Sequence, residues 1–256
     1  MRKGVLRELA AAPVWAIADR EWSFFRSSAI GVVFLIIFLA ATGHLTFEPG
    51  RGSFFLRGQA DLRPFFDYLP WVLAFFIPAM TMRPWAEERK SGTIEFLLTL
   101  PLSHHQAVWG KFWAAWKFLG VALLLTFPIV LTLFFLGSPD VPAIVTGYVG
   151  AWLLAGQMIA MGLFASAISR NQVTSFIIGA LLLVISLLLD SPSLVDPLDN
   201  VFSGYPLALI ENLSLLRHFE PWTKGVVKLG GLAVSLVSIV FWNWATAVTI
   251  DKLKAQ

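Results

Sequence analysis

The chain has 256 residues, 57% of them hydrophobic and 14% charged, with a mean hydropathy of +0.73; ordinary soluble domains carry about 25% charged residues, so this composition excludes a soluble globular protein and marks an integral membrane protein. The formal net charge is only +3 and no basic run exists, which argues against a nucleic-acid partner. The absence of cysteine excludes disulfides, iron–sulfur clusters and thiolate zinc sites.

Several apolar runs approach the ~20 residues that cross a bilayer as helix, and none shows the ~10-residue alternation of an outer-membrane barrel, so the predicted class is all-α. Residues 1–27 interleave Arg2, Lys3, Arg7, Arg20 and Arg26 with Leu6, Leu9, Val14, Trp15, Ile17 and Trp22. This pattern is too charged to span and predicts an amphipathic helix lying on the membrane surface, not a cleavable signal peptide. Six spans are expected, at 28–47, 68–82, 113–136, 141–168, 173–189 and 226–250. Residues 48–67 read as an irregular or interfacial loop. Pro78 and Pro128 predict kinks within their spans. In the fourth span Gly147, Ala151 and Ala155 recur at four-residue spacing, a pattern that lets helix backbones approach closely and predicts packing inside the bundle. Residues 191–225 are polar enough to leave the hydrocarbon and predict one or two short helices at the far interface.

Six spans put both termini on one side. Under that topology the terminal side holds thirteen Lys and Arg residues against six on the other, and with acids included it carries +6 against −3. The positive-inside rule therefore predicts cytoplasmic termini, and with them a cytoplasmic 83–112 stretch.

That stretch, RPWAEERKSGTIEFLLTLPLSHHQAVWGKF, is the one polar interruption with a specific pattern. A charged cluster (Glu87, Glu88, Arg89, Lys90) precedes a helix-breaking Gly92. From Thr93, the apolar Ile94, Leu97 and Leu98 share one face of a short helix that must stop before Pro101. Ser103 followed by Gln106 predicts a capping box opening a new helix that runs through Lys111 into the third span. Two helices joined at a proline elbow make a protrusion that a soluble partner can grip.

Residues 82–112 resemble the signature of ABC-2 type transporter permeases, approximately aeErrsGTiElLLtsPvs followed by GKf. Glu88, Gly92, Thr93, Glu95, Leu97, Leu98, Thr99, Pro101, Gly110 and Lys111 match in place. A second resemblance lies at 19–27 (DREWSFFRS), similar to the family's entry to its first span. A third, HFEPWTKGVVKL at 218–229, is similar to the gliding-motility-associated GldF-like subgroup. The resemblance implies a six-helix permease subunit of an exporter, without catalytic activity of its own, in the inner membrane. It also implies pairing with a second copy or a related permease, contact with membrane lipid, and room for an accessory extracytoplasmic protein. ATP and Mg would be bound by separate cytoplasmic ABC ATPase subunits, since the chain has no GxxxxGK[ST] loop. By the same resemblance the segment around 92–103, from Gly92 to Ser103, is the coupling helix that docks on the ATPase. Glu87 and Glu88 would be hydrogen-bonding or ion-pair anchors at its base, Ile94, Leu97 and Leu98 its contact or packing face, and Arg89, Thr93, Glu95, Pro101 and Ser103 further members of the coupling set.

Rival readings have less to work with. Glu87 and Glu88 resemble the EExxxR motif of intramembrane proteases, but position 92 is Gly where Arg is required. His44, His104, His105 and His218 lack metal-site spacing. A secondary transporter wants ionisable groups at mid-membrane, and the later spans offer little beyond Gln157. A membrane anchor, or a non-transporting subunit that only transmits movement, explains the spans but a plain anchor leaves the 83–112 pattern without a purpose.

Overall fold

The computed structural model describes residues 2–48, 60–92, 103–191 and 212–254, with side chains of the first and last helices described from Val14 and through Lys252. Among these residues there are ten helices and no strand: α1 (Arg2–Ser27), α2 (Ala29–Phe47), α3 (Arg63–Thr81), α4 (Ala86–Lys90), α5 (His104–Leu124), α6 (Phe127–Leu136), α7 (Val141–Ile168), α8 (Gln172–Leu188), α9 (Leu215–Thr223) and α10 (Leu229–Lys254).

Local chemistry sets many of the boundaries. Ser28 separates α1 from α2 and caps the latter, its hydroxyl accepting from the Gly31 N–H at 3.1 Å. Proline occupies the first turn of α3, α6 and α7, where its missing N–H costs nothing. The Asn171 side chain caps α8 by accepting from the Thr174 N–H at 2.7 Å.

Among the described residues, five helical segments are long and apolar enough to cross a membrane: Ala29–Phe47, Arg63–Lys90, His104–Leu136, Val141–Ile168 and Leu229–Lys252. The expected fifth span falls on α8, an apolar helix of 17 residues, or about 25 Å at 1.5 Å per residue, at the lower limit for spanning. The helix that carries the expected second span begins earlier, at Arg63, with Pro64 in its first turn and Asp67 and Tyr68 within it. The helix expected to open at Ser103 and run through Lys111 into the third span is α5, and it breaks at 125–126, just before Pro128. The Thr126 hydroxyl holds that break, donating to the Leu123 carbonyl at 2.6 Å and meeting the Tyr148 hydroxyl at 2.7 Å. Residues 192–211, where part of the far-side helical structure is expected, lie outside the described residues; α9 represents the remainder.

The bundle is built around α7, whose most apolar window is 83% buried, against 22–67% for the other four spans. It touches α3, α4, α5, α8, α9 and α10. Small residues permit this crowding: Ala151 and Ala155 are fully buried, and a Cβ at Gly147 would collide with the Phe66 ring of α3. Trp116 of α5 stacks on Trp152 at 4.1 Å and donates its indole N–H to the Trp152 carbonyl at 2.8 Å. A buried polar link from the Gln157 amide to the Ser235 hydroxyl, 3.0 Å, joins α7 to α10. Exposed side chains such as Ile36, Phe75, Phe135 and Val237 form the outer surface, the side that faces hydrocarbon in a bilayer.

The first helix lies along α5. Ile17 and Ala18 are buried, Phe25 stacks on Phe118 at 4.9 Å, and Trp15 lies 6.1 Å from Trp113. Its aromatic residues are thus shared between protein contacts and the surface.

Candidate functional site

The charged cluster predicted at the base of the coupling segment folds as the short helix α4, and its surroundings explain why five residues hold a helix at all. Trp85 is fully buried and anchors the start. Its backbone N–H and that of Ala86, which have no partner within so short a helix, both donate to the Ser166 hydroxyl at 3.2 Å. That hydroxyl donates in turn to the Met82 carbonyl at 3.1 Å. At the other end the Ser91 hydroxyl donates to the Glu87 carbonyl at 2.8 Å, and Gly92, at φ 71°, takes the left-handed conformation that stops the helix.

Glu87, Glu88 and Arg89 each face a different neighbour. Arg89 reaches across to the end of α7, donating to the Ala167 and Ser169 carbonyls at 2.8 and 3.1 Å, groups that a helix C-terminus leaves open. Glu87 points outward and pairs with Arg83 at 2.9 Å. Glu88 turns inward and accepts from Lys111 of α5 at 2.6 Å.

Lys111 is the centre of the site. Its side chain is only 2% exposed, yet its ammonium meets three acceptors: Glu88 at 2.6 Å, the Pro84 carbonyl at 2.8 Å and Glu21 of α1 at 3.4 Å. Three N–H donors therefore have three acceptors, and the charge also lies 4.7 Å from the Trp85 ring centre. Arg20 completes the cluster, 2.7 Å from Glu21 and 3.6 Å from Glu88. Gly110 makes the approach of α1 possible, since a Cβ there would press on Ile17 and the Val14 carbonyl at 2.8–2.9 Å. Burial of Glu21 works against its ionisation, but the nearby Lys111 charge and the Arg20 hydrogen bond outweigh it and hold the carboxyl below the usual carboxylate range.

Ser103 opens α5 with a complete capping box: its hydroxyl accepts from the Gln106 N–H at 3.3 Å, and the Gln106 side chain accepts from the Ser103 N–H at 3.0 Å. Nearby, His104 approaches Asp251 of α10 to 3.1 Å. Thr93, Ile94, Glu95, Leu97, Leu98 and Pro101 lie outside the described residues, so the stem on both sides of them is what the structure describes. Gly147, Ala151 and Ala155 belong to the packing core of α7 rather than to this cluster.

Arg20, Glu21, Trp85, Lys111 and Ser166 were not expected to meet in one site. Lys111 and Glu21 each lie within a stretch that carries the family resemblance, but 90 residues separate them and nothing local marks them as partners. One signal was available: a lysine inside an apolar helix run requires counter-charges, and two motifs of one family each contained a glutamate.

A family model described as ABC-2 family transporter protein matches residues 15–221, which include the Arg20–Glu21 pair, α4 and Lys111. No curated protein matches the chain.

Proposed function

The chain belongs to the ABC-2 family of transporter proteins, membrane-embedded permease subunits of ABC transporters, and from that premise we propose that its 83–112 segment couples ATP hydrolysis in a separate cytoplasmic ATPase to movement of the spans. The observation that carries this reading is the Lys111 cluster. The stem that enters 93–102 is fixed to α5 and α1 through Glu88, Lys111 and Glu21, and to α7 through Arg89 and Ser166. A force applied to 93–102 therefore reaches three long helices by short, charge-assisted contacts rather than through slack loop. Two of these helices, α5 and α7, are candidate spans, so movement of the stem and rearrangement of the bundle are linked.

In this reading Ile94, Leu97 and Leu98 meet the ATPase, while Glu88, Arg89 and Lys111 hold the stem. The permease works as a pair of copies or with a related permease, with six spans and both termini in the cytoplasm, and it exports its substrate across the inner membrane. The charge asymmetry supports the orientation, and the HFEPWTKGVVKL stretch supports a GldF-like subgroup.

Co-purification of the ATPase with the full chain from membranes, followed by ATP turnover of the complex, tests the assignment. Leu97→Asp is expected to lose the ATPase, whereas Glu88→Ala is expected to retain it with turnover no longer responsive to the permease. Unchanged association and turnover in the Glu88→Ala, Leu97→Asp double variant would show that the segment does not couple.

A further inference from the structure

A cavity of about 440 Å3 opens beside the stem, between the α1–α2 junction and α3, within the ~300–1,000 Å3 range of ligand sites. Its two ends differ in chemistry. One is walled by Phe34, Phe76 and Phe118, and its rim carries Ile30, Val33 and Ile37, which are among the exposed apolar residues of α2 and meet hydrocarbon in a bilayer. The other end is charged, with Glu21, Glu88 and Lys111 facing it alongside Arg83 and Glu87. The first three are engaged with one another in the buried cluster. Arg83 and Glu87 are the solvent-accessible pair, with side chains 26% and 48% exposed, and Arg83 is steadied by the Phe24 ring 4.9 Å away.

We propose that this cavity binds one molecule of a zwitterionic aminophospholipid, an acyl chain between the phenylalanines and its phosphoethanolamine head on the Arg83–Glu87 pair. The apolar end, continuous with the lipid-facing surface of α2, selects an amphiphile over a water-soluble ligand. Charge order then selects the head. A phosphate is attracted by Arg83, but an anionic head without an amine places no cation on Glu87 and is opposed by it. A phosphate followed by an ammonium matches both charges in turn. The proposal rests on the chain lying in a membrane and not on the ATPase coupling, so each can fail without the other.

The test uses the full chain purified in mild detergent, depleted of lipid, and offered equal amounts of phosphatidylethanolamine and phosphatidylglycerol with identical chains. Native mass spectrometry reads the lipid retained. The wild type is expected to keep one phosphatidylethanolamine per chain, enriched about threefold or more over phosphatidylglycerol, the scale that one exposed ion pair provides. Ala79→Trp, which fills the apolar end, is expected to lose the bound lipid. Glu87→Gln, a surface change that leaves the core alone, is expected to keep a lipid but lose the preference. Equal retention of the two lipids by the wild type overturns the proposal, as does a folded Ala79→Trp that retains its lipid. Should Ala79→Trp fail to fold, Glu87→Gln decides: an unchanged preference in that variant also overturns the assignment.

Discussion

A lysine ammonium removed from water is costly unless its partners are close and complete, and Lys111 meets that condition with two carboxylates and a carbonyl. Lys111→Met should leave Glu21 and Glu88 facing each other without the intervening charge and destabilise the fold by about 3–5 kcal/mol, read as a lowered thermal unfolding midpoint in detergent. The pH dependence has a definite sign. Because the folded Glu21 carboxyl lies below its ordinary value, its contribution is fully present above about pH 4.3 and is lost as pH falls from there through the folded value. Melting curves of wild type and Lys111→Met should therefore converge as pH drops through that window; a constant gap down to the acid limit would mean that the cluster contributes packing and not charge. Glu87, by contrast, pairs with Arg83 at the surface, where such a bond contributes little. Adjacent glutamates that look equivalent in sequence have separate roles because one helical residue step turns the side chain through about 100°.

Elements show where sequence reasoning succeeds. The stop at Gly92 and the capping box at Ser103 depend on groups within three or four residues, and both were legible. The apolar helices were legible because burial in lipid requires a long apolar run whatever its neighbours, and each expected span falls on one of them. The break at 125–126 was legible only as a kink near Pro128, since Tyr148, on another helix, holds Thr126 in place. The Lys111 cluster was not legible, because its parts come from α1, α4 and α5 and only the fold brings them together. Close packing of α7 gives a direct comparison between two helical glycines. Gly147→Ala should destabilise by about 1–3 kcal/mol, because the added methyl meets the Phe66 ring. Gly43→Ala, with no atom within 4 Å of the new methyl, should be neutral or stabilising by up to about 1 kcal/mol. Equal effects in thermal melting would show that α3 and α7 do not pack at this point.

For the whole molecule the decisive element is α8. The stem meets α7 at Ser166 to Ser169, whereas α9 meets it at Thr146 and Gly150, near the other end, and a crossing by the 17-residue α8 is what this separation requires. The chain has no cysteine, so single cysteines report position without background. With six spans, Ser91→Cys should react with an impermeant maleimide only from the cytoplasmic face, and Lys224→Cys only from the outer face. Cytoplasmic labelling of Lys224→Cys would remove α8 from the membrane-crossing set.

The 90-residue separation of Glu21 and Lys111 also has a consequence for synthesis. At about 5–20 residues per second, roughly 5–20 s pass between the emergence of the glutamate and that of its lysine. Until then Glu21 has Arg20 beside it but not the lysine against which it is buried, so the α1 end that carries it remains at the aqueous boundary. Docking of the first helix is accordingly completed only after the start of α5 has left the ribosome.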